Sequence, residues 1–153
     1  MTFRAWRVLV LVALGAGLGL AWNAFSGRGL ALNRNAFLKE GDRLEEIPPA
    51  EGRRRLDKGF LFLDARARLS YDYTHIPGAL PLPLDDFDRA FASLEPRLRS
   101  TFDIVVYCAS SACDASHETA RMLKQRGIHV AILQGGWQDW TDAGYPVKAG
   151  PQP

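Results

Sequence analysis

Two short, unbroken apolar runs constrain the fold of this chain most: Phe60–Leu63 and Ile104–Tyr107. Each is too short for an ordinary helix and lacks polar alternation, so each reads as a strand covered on both faces, and Ile128–Leu133, interrupted by His129, reads as a third strand. Segments with helical character lie between them. Asp85–Leu98 places Phe87, Phe91, Leu94 and Leu98 at helical spacing, and Ser116–Arg126 is stopped by Gly127. A short helix, AEGRRRLDKG, follows Ile47-Pro48-Pro49, and another carrying Trp137 and Trp140 follows the Gly135-Gly136 turn. Ala79–Leu84, punctuated by prolines, can supply only a short edge strand. Strands separated by helices predict an α/β domain with a mostly parallel sheet and helices on both faces. Ligands bind such sheets beyond the carboxyl ends of the strands.

At 153 residues the chain has room for one domain of this kind. A formal charge of +2 is too small for a nucleic-acid binder, and Arg53-Arg54-Arg55, its densest basic group, reads as a solvated helix face. Two cysteines are too few for a disulfide scaffold, so their positions matter more than their number.

The N-terminus has a different character. Arg4 and Arg7 precede an apolar run from Val8 to Ala21, followed by Trp22, Asn23, Ala24 and Phe25. A basic start before an apolar core is the pattern of an export signal with its N-terminus left in the cytoplasm. Residues 1–25 therefore read as a signal-anchor or transmembrane helix spanning through residues 8–25, with cleavage near Gly19-Leu20-Ala21 as the alternative. No cysteine follows the run, so a lipoprotein anchor is excluded. Residues 26–42 read as a linker, and 43–149 as the folded domain. Both outcomes place that domain on the periplasmic side, tethered to the inner membrane or released from it.

Cys108 sits where a buried strand ends and a tight loop of small residues (Ala109, Ser110, Ser111, Ala112) leads into a helix. Amides at a helix start favour an anion, and small residues let the loop curl around one sulfur. The expected result is a thiolate more acidic than the free value of about 8.5. A persulfide, also anionic, would be stabilised in the same way.

FLFLDAR (60–66), HIPGA (75–79), IVVYC (104–108) and LQGGWQDWTDAGYPV (133–147) occur in that order. Together they make residues 43–149 resemble a rhodanese-like (sulfurtransferase) domain. The resemblance implies a five-stranded sheet and a sulfane sulfur carried as a persulfide on Cys108. By the same correspondence Asp64 and Arg66 brace the active-site wall, and His75 opens the HIPGA turn. The implied partners are a small sulfur donor and a thiol acceptor, with a protein thiol or a membrane protein as further candidates. No cofactor and no nucleic acid is implied.

This sequence also departs from the family. Many members carry Arg or Lys after the cysteine, where it can neutralise an anionic donor such as thiosulfate. Here the loop has only Asp114, which would repel a dianion and, as a helix N-cap, occupy amides. Fast thiosulfate turnover is therefore not expected. Asp114 also stands where a rhodanese-like phosphatase would place the arginine of Cys-x5-Arg, which argues against phosphate-ester hydrolysis. The second departure is Cys113. It reads either as a small buried side chain or as a resolving thiol able to form a disulfide with Cys108, given Cα atoms within about 7 Å. Cys108, Cys113 and His117 lack an evident fourth ligand, so no metal site is expected. Three functions stay open: an exported sulfurtransferase, a dithiol–disulfide redox protein, and a non-catalytic rhodanese-fold binding module.

Overall fold

The computed structural model describes residues 44–152 and, N-terminal to these, only Trp6, Val10, Val12 and Gly15, which are helical. Apart from those four residues the expected membrane segment, and all of the linker, lie outside the described residues. Among the described residues no helix is long and apolar enough to cross a membrane.

The domain follows the order β1 (Glu45–Ile47), α1 (Pro49–Asp57), β2 (Leu61–Asp64), α2 (Arg68–Tyr73), β3 (Thr74–His75) and β4 (Leu80–Pro81). A 3-10 turn (Leu84–Asp86) then leads into α3 (Phe87–Arg99), β5 (Ile104–Tyr107), α4 (Ala115–Gln125), β6 (Ala131–Leu133), α5 (Gly136–Asp142) and β7 (Lys148–Ala149). Five strands form one parallel sheet in the order β1-β6-β5-β2-β4. This is the α/β architecture that the apolar runs and the family resemblance imply.

Side-chain alternation along the strands divides the core in two. Leu61, Leu63, Ile104 and Val106 face one way and pack with Phe87, Phe91 and Leu98 of α3 and Leu123 of α4. Phe62, Val105 and Tyr107 face the other way, against Tyr71 of α2, Trp140 of α5 and the half-buried Leu56 of α1. The central strands β2 and β5 are buried at every position, as helices on both faces require. Each fully buried aliphatic or aromatic side chain contributes about 1.5–3 kcal/mol by leaving water. Trp140 anchors its layer, its ring 5.9 Å from Phe62 and 5.0 Å from Tyr145, with Nε1 donating to the Pro146 carbonyl at 2.9 Å. On the opposite face Arg126, just after α4, stacks over Phe87 and Phe91 and pairs with Asp88 at 2.8 Å.

Several boundaries differ from the sequence reading. The run Ile128–Leu133 yields a strand only over Ala131–Leu133, because Ile128 already packs into the core after the turn at Gly127. The edge strand within Ala79–Leu84 shrinks to Leu80–Pro81, and proline explains its brevity. Four elements carry no clear signal. β1 buries Ile47 alone and exposes Glu45 and Glu46. α2 buries Tyr71 while Leu69 and Tyr73 stand exposed. β3 and β7 form a two-residue antiparallel pair. Of the arginines of α1, Arg54 is exposed, as a solvated face requires, while Arg53 and Arg55 are half-buried; Arg55 bridges Glu45 and Glu51, Arg54 pairs with Glu51 and Arg53 with Asp57.

Candidate active site

The carboxyl ends of β2, β4 and β5 converge on one wall. Asp64 of β2 lies opposite Pro81 on β4 and Tyr107 on β5. The Ala65 amide donates to the Tyr107 carbonyl at 2.9 Å, and the Leu82 amide to the Asp64 carbonyl at 2.8 Å. The ladder therefore continues to the edge of the site.

Asp64 is fully buried, and such a carboxylate must be paired and hydrogen-bonded to stay in the interior. Its Oδ1 accepts from the Arg66 amide at 2.9 Å and from Arg66 Nε at 3.0 Å. Its Oδ2 accepts from Arg66 Nη2 and from the Tyr107 hydroxyl, both at 2.7 Å. The partners extend outward. Arg66 Nη2 also donates to the Thr74 carbonyl at 2.6 Å, and the Tyr107 hydroxyl accepts from the Ile76 amide at 3.2 Å. Burial alone would lower the Arg66 pKa, but the Asp64 carboxylate outweighs it and holds the guanidinium above its usual value. Burial first, and then the Asp64 charge, push the Tyr107 phenol well above its ordinary range. This cluster ties β2 and β5 to the segment that enters HIPGA.

HIPGA closes as a tight turn in which the Ala79 amide donates to the Ile76 carbonyl at 3.0 Å. Pro77 and then Gly78, at φ 77°, match the residues a type II turn requires. His75 is fully buried and stacks 4.1 Å from the Tyr71 ring. Its Nδ1 lies 3.0 Å from the Tyr71 carbonyl, which can only accept, so Nδ1 carries the proton. Among the described residues Nε2 has no hydrogen-bond partner, and the ring faces protein rather than solvent. His75 thus sits as a structural element beneath the wall, as does Tyr71, whose hydroxyl donates to the Ala79 carbonyl at 2.9 Å.

Cys108 follows β5 directly and is buried. The first amides of α5 reach back to it: Trp137 N donates to the Cys108 carbonyl at 2.7 Å, and Gln138 N to the Ala109 carbonyl at 2.9 Å. That approach explains the Gly-Gly pair before Trp137. Gly136 has a φ of 57°, and a Cβ there would collide with the Cys108 carbonyl oxygen. The Trp137 ring covers Arg66, whose guanidinium carbon lies 4.3 Å from its centroid. The cysteine and the Asp64 cluster are thereby one assembly.

The loop departs from an open cradle around a free thiol. Cys108 is joined to Cys113 in a disulfide, with Cα atoms 6.2 Å apart, inside the range that bridging allows. The Cys113 amide closes a turn onto the Ser110 carbonyl at 3.0 Å. Ala109, Ser111, Ala112 and Asp114 are exposed, and Ser110 and Cys113 half-buried. Asp114 occupies the N-cap position of α4, but its side chain makes no capping hydrogen bond. The expectation that it would occupy helix amides is corrected. Its backbone is already helical (φ −74°, ψ −10°), whereas a capping side chain needs the extended geometry that turns it toward those amides. His117, considered as a metal ligand, instead meets Glu46 of β1 at 3.2 Å. Among the described residues no group of three or more His, Cys, Asp or Glu could hold a metal ion.

Two residues of this site escaped the sequence reading. In the sequence Tyr107 stands only as the end of an apolar run, although a polar-tipped aromatic in an otherwise aliphatic strand is a usable signal. Trp137 stands there only as part of a motif.

Residues 48–143 match the model of the rhodanese-like domain family. The chain is 32% identical over 111 residues to an HTH-type transcriptional regulator of Mycobacterium tuberculosis, covering 72% of this chain and 47% of that protein. It is 29% identical over 99 residues to a thiosulfate sulfurtransferase of Escherichia coli, covering 54% and 22%. The solution structure of the rhodanese-like domain of an Anabaena protein superposes with a TM-score of 0.58 at 32% identity, covering 71% of this chain and 82% of that one. The chain spans less than half the length of these curated relatives.

Two predictions follow from the buried cluster. Asp64→Asn leaves the Arg66 guanidinium buried without its counter-charge, and denaturant unfolding should show a loss of about 3–5 kcal/mol. A loss within error of wild type would mean that the pair does not support the fold. The raised Tyr107 phenol keeps its proton in the folded state while the unfolded chain ionises near its ordinary pKa. Its contribution to stability is therefore complete below about pH 10 and falls above it, by up to about 1.4 kcal/mol per pH unit until the folded-state pKa is reached. Unfolding curves on either side of that pH, with tyrosinate absorbance of the native protein, check both the sign and the delayed titration.

Proposed function

Since the chain belongs to the rhodanese-like domain family, we propose that it is a sulfurtransferase that carries sulfane sulfur as a persulfide on Cys108. The observation that carries this reading is the placement of Cys108. It stands at the carboxyl end of a central strand, held by the Trp137 amide on its carbonyl, in the position where parallel sheets bind ligands. Sulfurtransferases stand among the relatives, at distant identity.

The reaction starts from the reduced dithiol. The Cys108 thiolate attacks the sulfane sulfur of a donor, the donor's sulfur–sulfur bond breaks, and the remainder leaves with its electron pair. An acceptor thiolate then takes the outer sulfur and returns Cys108 to the thiolate. Loop charge bears on donor choice. Asp114 is exposed, and positions 109 to 116 hold no basic residue. A singly charged or neutral donor, such as an organic thiosulfonate or a protein persulfide, fits this mouth better than the thiosulfate dianion. The Cys108–Cys113 bond supports a second reading, a dithiol–disulfide redox protein.

The test uses the full chain, reduced and desalted, treated with an organic thiosulfonate, with intact mass read without reductant. The expected first product, read at short times, carries one added sulfur, and Cys108→Ser should abolish it. If sulfur never adds to the wild type while an active sulfurtransferase is loaded in the same assay, the sulfur-transfer reading falls and the redox reading takes its place.

We further propose that the domain works on the periplasmic side, held there by residues 8–25. The support is the basic start ahead of an apolar segment. A reporter active only after export, fused after Pro153, should be active. An inactive reporter with stable expression would assign the domain to the cytoplasm.

A further inference from the structure

We propose that Cys113 is the second reacting residue of the site, which displaces the sulfur from Cys108 as hydrosulfide in cycles where no acceptor thiol takes it. The inference rests on the sulfurtransferase reading and joins it to the disulfide: the two chemistries become consecutive steps at one sulfur.

The geometry favours this order. The α5 amides on the carbonyls of Cys108 and Ala109 hold one end of the loop, and the Cys113 amide on Ser110 curls the other end back. The two Cα atoms stand 6.2 Å apart, so the Cys113 sulfur reaches Cys108 Sγ without any large backbone movement. A nucleophile tethered five residues away competes well with a dissolved thiol, because its encounter is already arranged. The exposed Ser111 and Ala112 leave the loop open to a departing anion and to an incoming reductant.

The Cys113 thiolate attacks Cys108 Sγ, the inner sulfur of the persulfide. The Cys113–Cys108 sulfur–sulfur bond forms as the bond to the outer sulfur breaks, and the outer sulfur leaves with the electron pair as hydrosulfide. The proton lost from Cys113 goes to solvent. Over the cycle the sulfane sulfur takes up two electrons, supplied by two cysteine thiols that become the disulfide seen in the structure. A dithiol reductant must then reopen that bond and leave as its own disulfide. The chemistry thus names the class of partner: a protein dithiol with access to the 109–112 loop.

The test loads the reduced full chain with benzenethiosulfonate under anaerobic conditions. That donor leaves as a sulfinate, so any hydrosulfide must come from the transferred sulfur. For wild type we expect a transient added sulfur, then a chain two hydrogens lighter than the reduced form, with an equivalent of hydrosulfide released. Cys113→Ser should keep its added sulfur about tenfold longer or more and release hydrosulfide only when an external thiol is supplied. Cys113→Ala should behave in the same way, which guards against a folding defect in either variant. Wild type holding its sulfur as long as Cys113→Ser, with no hydrosulfide, overturns the role of Cys113 and leaves sulfur transfer standing. Failure of both wild type and Cys113→Ser to take up sulfur overturns the parent reading and this inference with it.

Discussion

A buried carboxylate organises this domain. Asp64 is removed from water at the end of a central strand, where an unpaired charge would be too costly to keep. Satisfying it recruits Arg66 and Tyr107, and each recruit then fixes something else. Arg66 reaches the Thr74 carbonyl, and Tyr107 receives the Ile76 amide, so the chain entering the HIPGA turn is held to two strands at once. The Arg66 guanidinium also lies under the Trp137 ring, and the Trp137 amide holds the Cys108 carbonyl. One charge therefore reaches Cys108 through a short series of contacts. None of the intervening groups needs to meet the sulfur itself.

The site divides into a rigid wall and a pliant loop. The wall is aromatic, charged and buried, with partners for its polar atoms. Residues 109 to 114 are small or short, largely exposed, and returned on themselves by the turn at Ser110. Gly136 marks the boundary, since only a residue without a Cβ lets α5 approach the Cys108 carbonyl so closely. Such a division suits the proposed persulfide, whose sulfur must stay in place while its partner changes, from donor to acceptor or to Cys113.

Legibility followed the strength of each local pattern. The strands around Phe62 and Val105 and the helix carrying Phe87 and Phe91 could be read because their apolar spacing has one structural solution. β1 could not, because it buries Ile47 alone and its edge position comes from pairing with β6, distant in sequence. α2 could not, because its Leu69 and Tyr73 face solvent and give a misleading hydrophobic signal. Asp64, Arg66 and His75 entered only through the family resemblance. Tyr107 was missed because its hydroxyl meets a carboxylate 43 residues away, a contact that no local window contains.

The sequence by itself determined the alternation of buried strands and amphipathic helices, and with it a parallel sheet that presents Cys108 at a strand end. Periodicity and burial are local properties, and the chain carries them in its spacing. Only the tertiary structure decided what surrounds that cysteine. Cys113 lies within bridging distance, the Asp114 side chain does not cap its helix, and α5 folds back to hold the cysteine's carbonyl. Those outcomes depend on loop backbone angles and on contacts between distant segments, which are set when the layers pack.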